Sequence, residues 1–157
     1  MKFSLICIGK TKQNFVSDGI DFYLKRISQY TQMSYQEIAL PSKGIPGPPA
    51  EVCKKECQIL GSSLKGNEHL ILLDETGHQF SSDKFAGFLQ HLMNTEPRKI
   101  VFAIGGAYGF SDDFKKLAST SISLSPMTFP HQLVRLIFLE QFYRAMTILR
   151  NDPYHHA

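Results

Sequence analysis

Residues 69–106 read HLILLDETGHQFSSDKFAGFLQHLMNTEPRKIVFAIGG, and this stretch decides the fold. HLILLD is a short apolar run without a polar face, the pattern of a strand covered on both sides. SSDKFAGFLQHLM then has helical character and opens on serines, residues that cap helix N-termini. KIVFAI is a second apolar run. Strand, helix and strand in quick succession form the unit from which mainly parallel sheets are built.

The same alternation extends in both directions. KFSLICIG alternates like a first strand, and NFVSDGIDFYLKRISQY places Phe15, Ile20, Leu24 and Ile27 at helical spacing. SYQEIAL reads as a strand, whereas PSKGIPGPP, residues 41–49, is too rich in proline and glycine for regular structure and is a loop. AEVCKKECQILGSSL is a helix. Beyond residue 106, SDDFKKLA predicts a short helix, SISLS a strand, and the remainder a long terminal helix from Pro130 to about Arg150. The expectation is an α/β fold, a mainly parallel sheet with flanking helices, in a single domain over residues 1–157.

The totals narrow the class of protein. There are 17 basic and 14 acidic side chains, a net charge of +3, which permits an anionic partner such as nucleic acid without requiring one. No apolar run is long enough to span a membrane, and the N-terminus lacks a signal-peptide cleavage pattern. Cys7, Cys53 and Cys57 are odd in number, and the last two sit one helical turn apart, which suits helix packing in a reducing compartment. The expected location is the cytoplasm.

The terminal helix is apolar almost all round. Leu133, Val134, Leu136, Ile137, Phe138, Leu139, Phe142, Tyr143, Ala145, Met146, Ile148 and Leu149 leave only a narrow polar strip of Glu140, Arg144 and Thr147. One sheet does not cover so wide a surface, so a second subunit is expected against it, in a homodimer. A central helix in a monomer core is the alternative.

Three strand ends are candidates for chemistry. LLDETGHQFSS (72–82) and FAIGGAYGFSDDF (102–114) place glycines where ligands settle in open α/β sheets, beyond the carboxyl ends of strands. Neither contains G-x-G-x-x-G or a P-loop, so nothing supports a dinucleotide or nucleoside-triphosphate fingerprint. SLSPMTFPHQ (123–132) combines prolines with polar residues in a stiff loop suited to holding a flat heterocycle through main-chain hydrogen bonds.

Together with the N-terminal KFSLICIGKTK and the ending SLSPMTFPHQLVRLIFLEQFYRAMTILRNDPYHHA, these loops resemble the bacterial ribosomal RNA large subunit methyltransferase H family of the SPOUT superfamily. The similarity covers essentially the whole chain, and the terminal segment is its most diagnostic part. It implies methyl transfer from S-adenosylmethionine to N3 of a pseudouridine in 23S rRNA, on assembled 70S ribosomes. It also implies a homodimer and a C-terminal trefoil knot whose loops hold the cofactor against the partner subunit. Carried over by motif, the cofactor contacts are Leu73, Gly106 and the run Ser125, Pro126, Met127, Thr128, Phe129 and Pro130.

In that family the PYH ending lies near the cofactor, which makes Tyr154, His155 and His156 the candidate catalytic and RNA-binding residues. A tyrosine stacks bases, and a histidine accepts a proton. Where relatives usually continue with Arg or Lys after PYH, this chain has His156 and Ala157, which puts His156 in doubt as a phosphate contact. His131, Arg135, Arg144 and Arg150 are further RNA or active-site candidates, against the alternative that Arg144 only pairs with Glu140 four residues away. A metal site from His131, His155 and His156 lacks a Cys or carboxylate at ligand spacing, so no metal is expected. A non-enzymatic RNA- or ribosome-binding dimeric module is the rival reading.

Overall fold

The structure, a computed structural model, describes residues 2–156. Five strands, β1 (Lys2–Ile8), β2 (Gln32–Ile38), β3 (His69–Gln79), β4 (Ile100–Ile104) and β5 (Thr120–Ser123), form one sheet in the order β2-β1-β4-β3-β5. Every pairing is parallel, with Phe3 opposite Met33 and Ile100, and Ile71 opposite Phe102 and Thr120. The central strands are buried on both faces, which is why β3 and β4 read as apolar runs; β1, whose sequence alternates, is also buried on both faces, Ser4 included.

Helices α1 (Asn14–Ile27), α3 (Ser82–Thr95) and α5 (Leu133–Leu149) cover one face of the sheet, and α2 (Pro49–Ser62) and α4 (Asp112–Lys115) the other. The larger core lies on the first face, where Phe3, Phe102, Phe138 and Phe142 form a continuous aromatic contact with centroid separations of 4.8–6.4 Å. Burying each such ring contributes about 1.5–3 kcal/mol. The smaller core gathers Ile8, Leu60, Leu72 and Phe114. The serine cap read ahead of α3 exists, the side chain of Ser81 accepting from Lys84 N, and α4 has one as well, Ser111 accepting from Phe114 N.

Four local expectations are corrected. Helix α5 starts at Leu133, so Pro130 precedes it; its carbonyl still accepts a hydrogen bond from Val134 N at 3.1 Å, and the chain is turning there before regular helix begins. Phe15 is 62% exposed and Val16 takes its place in the core. Thr147 is buried, because its hydroxyl donates back to Arg144 O at 2.7 Å and needs no solvent. Strand β3 continues past Leu73 to Gln79 by way of a bulge: Ile122 pairs with both Leu73 and His78.

The end of α5 explains the order of the tail. Asn151 has φ +56°, Asn151 N donates to Ile148 O at 3.1 Å, and Asp152 N donates to Thr147 O at 2.9 Å. This is a Schellman cap, with asparagine in the position more often held by glycine. The chain reverses, and Asp152 accepts a 2.5 Å bond from the Tyr30 hydroxyl. Tyr154 then stacks edge-on against Tyr143, with centroids 4.7 Å apart.

Candidate active site

Strand β4 is followed in sequence by a crossover through α4 that carries β5 beyond β3, so the sheet order changes direction at β3 and β4. Ligands of open parallel sheets bind at such a point, outside the carboxyl ends of the strands. A cleft of 670 Å³ lies there, within the usual range for small-molecule sites. Three loops build it.

The first is the β3 bulge. Leu73 lines the cleft, and Asp74 beside it folds its carboxylate onto Thr76, accepting from the backbone N at 2.9 Å and from the hydroxyl at 2.5 Å. Lys115 of α4 adds an ion pair at 3.0 Å. Burial opposes the charged form of Asp74, but the Thr76 bonds and Lys115 outweigh it and leave the carboxyl below its ordinary value. The carboxylate is thus used in shaping the loop.

The second loop, Gly105–Phe110, is held from below by α2. The thiol of Cys53 donates to Gly109 O at 3.5 Å, and Cys57 Sγ accepts from Ser111 N at 3.3 Å. Between them, Glu56 is 8% exposed, with its carboxyl directly behind Gly106 and its Oε2 buried without a hydrogen-bond partner. Burial holds the Glu56 carboxyl above its ordinary value. Cys53, Glu56 and Cys57 occupy one face of the helix, so the cysteines do pack as expected and also fix this loop.

The third loop, Ser123–Pro130, is braced internally. The hydroxyl of Ser123 donates to Ser125 O at 2.9 Å, and Met127 N donates to Ser125 Oγ at 2.9 Å. Ser125, Met127, Thr128, Phe129 and Pro130 line the cleft, as do Leu73 and Gly106 from the other loops. Pro126 is exposed between two lining residues without lining the cleft itself. Met127 is 74% exposed at the mouth. The cleft therefore offers main-chain groups and apolar edges, a combination suited to a flat heterocycle.

The other candidate residues separate into distinct settings. His131 lines the cleft; burial, with the Arg135 and Lys12 cations nearby, holds its pKa below the ordinary value and favours the neutral ring. Arg135 has no exposed surface: its guanidinium donates to Ile8 O at 2.7 Å and to Thr11 Oγ1 at 2.9 Å, and pairs with Glu37 at 3.5 Å. The expectation that Arg135 contacts RNA is corrected on that ground, since the group is enclosed within the chain. Arg144 pairs with Glu140 at 2.5 Å, as the alternative reading held, and its guanidinium also lies 4.9 Å over the Tyr154 ring. Arg150 is exposed and stacks 5.1 Å from the Tyr30 ring.

Tyr154, His155 and His156 are not part of the cleft lining of this chain. The Tyr154 hydroxyl donates to Glu140 at 3.0 Å and lies 3.4 Å from the Tyr23 hydroxyl. Burial, then its bonds with Tyr23 and Glu140, push its pKa well above the usual phenol range, so it is a hydrogen-bond donor here and not a base. Both ring nitrogens of His155 are buried without a hydrogen-bond partner; Asp83 Oδ1 lies 3.7 Å from Nε2. His156 is exposed. Among the described residues, no three His, Cys, Asp or Glu side chains gather as metal ligands, and no helix is long and apolar enough to cross a membrane.

Sequence reasoning missed Glu56 and Asp74. A glutamate between two cysteines on a packed helix face was the legible signal for the first. The second gave none, because its role depends on a bulge that the sequence does not announce.

An all-parallel sheet with a three-loop cleft at the carboxyl ends of β3, β4 and β5 has the architecture of the SPOUT methyltransferases. The family described as Predicted SPOUT methyltransferase matches residues 1–155, and the chain belongs to it. Two solved structures share the fold at low identity. A tRNA (m1G37) methyltransferase from Aquifex aeolicus aligns with a TM-score of 0.56 at 15% identity, over 100% of this chain and 76% of that one. A probable methylase family protein from Haemophilus influenzae gives 0.54 at 8% identity, over 99% and 70%. Much closer in sequence are proteins named ribosomal RNA large subunit methyltransferase H. That of Parabacteroides distasonis is 44% identical over 157 residues, and that of Flavobacterium johnsoniae 46% over 157 residues, each alignment covering 99% of both chains. Within the SPOUT methyltransferases, the chain belongs with this full-length group.

Proposed function

We propose that the chain is an S-adenosylmethionine-dependent methyltransferase that methylates N3 of a pseudouridine in 23S rRNA, acting as a homodimer on assembled 70S ribosomes. The observation that carries the reading is the convergence of Leu73, Gly106 and the 125–130 loop on one cleft. The cleft's composition fits the cofactor: close-packed glycine backbone, where a Cβ on Gly105 would lie 2.8 Å from Gly109 O, leaves peptide groups free to face an adenine and a ribose. Bound there, S-adenosylmethionine supplies an electrophilic methyl group.

The protein's part is positioning and proton handling. The target N3 carries an imide proton and becomes nucleophilic as that proton leaves, so an oriented base beside a proton acceptor is sufficient chemistry. Tyr154, as a neutral phenol, stacks and orients the base. His155 has two ring nitrogens without hydrogen bonds inside the protomer, and is the candidate acceptor. Since neither lines the cleft of its own chain, the reading places the tail of one subunit at the cleft of the other. Phe15 and Phe22, 62% and 51% exposed and two helical turns apart on α1, support a second copy against the α1 and α5 face. The C-terminal trefoil knot belongs to this same reading.

The test is transfer of labelled methyl to 70S ribosomes that lack the modification, with the intact chain and with a chain ending at Asn151. The expected result is label in 23S rRNA from the intact chain only. No label from either, with the protein folded and binding the ribosome, would instead favour a non-enzymatic ribosome-binding module.

A further inference from the structure

The loop from Gly9 to Lys12, between β1 and α1, is fixed far more firmly than its length and exposure suggest. Its two ends are bridged by one side chain: Gln132 Oε1 accepts from Lys12 N at 2.8 Å, and Gln132 Nε2 donates to Lys10 O at 3.1 Å. Thr11 between them is bonded to the buried Arg135 and to Glu37. Gly9, at φ +78°, turns the chain out of the sheet while its N–H stays bonded to Ile38 O at 2.7 Å. Yet the side chains of Lys10 and Lys12 are exposed, and neither ammonium has an acidic partner among the described residues.

The location gives these cations a use. Gln132 directly follows His131, which lines the cleft together with Val134 in the next turn. The loop is therefore clamped to the rim of the cleft. Glu37, the carboxylate bonded to Thr11, is already paired with Arg135 and bonded to Tyr35, so its charge is taken up away from the lysines. A rigid backbone presenting two unpaired cations beside an active-site mouth is suited to hold successive phosphates of a strand whose base enters that mouth.

We infer that the Gly9–Lys12 loop is a phosphate-docking edge, with Lys10 and Lys12 gripping the backbone of the substrate RNA next to the methylated nucleotide. Gln132 and Arg135 are positioning residues for it: they hold the loop in register with the cleft and do not touch the RNA. The buried Arg135 thus acts on RNA recognition through Thr11 and Ile8. This inference rests on RNA being the substrate, as proposed above.

The experiment compares the full-length wild type with K10A/K12A and K10R/K12R. It measures binding to 70S ribosomes by filter retention across a salt series, S-adenosylmethionine affinity by calorimetry, and kcat and KM for methyl transfer. The alanine pair is expected to raise KM roughly tenfold with kcat and cofactor affinity little changed. The slope of log K against log salt should fall by about 1.4–1.8, two phosphates' worth. The arginine pair should restore both, since either cation binds phosphate. An unchanged salt slope and KM in the alanine pair would overturn the docking edge, as would wild-type protein that does not bind ribosomes. Wild-type binding without methyl transfer would sink the enzymatic reading alone, and the salt slopes would still decide the role of the loop.

Discussion

The guanidinium of Arg135 donates to the carbonyl of Ile8 at 2.7 Å, joining the first strand to the last helix across 127 residues of sequence. Ile8 ends β1 and Arg135 lies in the first turn of α5, so a single buried bond sets the entry of the terminal helix against the sheet. The 123–131 loop between β5 and that helix forms one side of the cleft, and its geometry depends on where the helix starts.

Replacing Arg135 by alanine would leave Ile8 O and Thr11 without their donor and remove the cation facing Glu37. Losing one side of a buried charged network costs about 3–5 kcal/mol. Arg135→Lys keeps the charge but not the fork that serves several acceptors, at about 1–2 kcal/mol. Urea unfolding would show the two midpoints separated in that order; equal midpoints would mean that charge alone is what the site requires.

Tyr154 offers a graded test of tail docking. Tyr154→Phe loses the hydroxyl bonds to Glu140 and Tyr23 but keeps the ring against Tyr143, so the expected cost is about 1 kcal/mol. Tyr154→Ala also removes the ring and its contact with Arg144, about 2–3 kcal/mol for a half-buried aromatic. Amide exchange at Asp152, residue 154 and His155 should quicken in the same order, while exchange in the strands stays as in the wild type.

Two glycines predict different outcomes for the same substitution. A Cβ on Gly77 would meet backbone atoms of Ser121 and Ile122 at 2.6 Å, and the bulge could admit it only by breaking the β3–β5 contact. Gly77→Ala is expected to cost about 3 kcal/mol or more. On Gly106 the collision is with the Glu56 carboxyl, a side-chain end that is able to swing aside. Gly106→Ala should therefore fold but weaken cofactor binding, and Glu56→Ala in the same chain should restore part of that affinity. Additive effects of the two changes would show that they do not touch.

The apolar runs made the sheet and the three strand ends legible, because burial on both faces leaves a mark on every residue of a central strand. The serine cap of α3 and the placement of the glycine loops were equally open to reading. Arg135 was not. An arginine in an amphipathic helix normally signals solvent, and only the tertiary meeting of Ile8, Thr11 and Glu37 makes its burial tolerable. The β3 bulge was hidden for a related reason: DETG resembles a chain-reversing turn, and its continuation as strand depends on Ile122 pairing twice. The first turn of α5 was misplaced because Pro130 satisfies the rule for a helix start without being one.

Two groups give opposite pH signatures. His131 has a folded pKa below its ordinary 6.5, so its contribution to stability is complete above that value and is lost as pH falls through the folded pKa. Glu56 has a folded pKa above its ordinary 4.5, so its contribution is complete below that value and is lost as pH rises through the folded pKa. His131→Asn should consequently lessen the loss of stability between pH 7 and pH 5, and Glu56→Gln should lessen the loss between pH 5 and pH 8. Melting curves across that range would test both, and parallel profiles for wild type and variants would refute the assignments.

The bond between Ile8 and Arg135 also has a consequence in time. Contacts between the two ends of a chain are the slowest to form, because the intervening loop must be closed before any of them contributes. The strands β3 and β4 and the helix between them are local in sequence and are free to assemble early. The cleft, however, stays open on one side until the last helix seats and fixes the 123–131 loop that precedes it. The unit of β3, α3 and β4 is therefore expected to form before the site, whose third loop is fixed only when the first strand and the last helix meet.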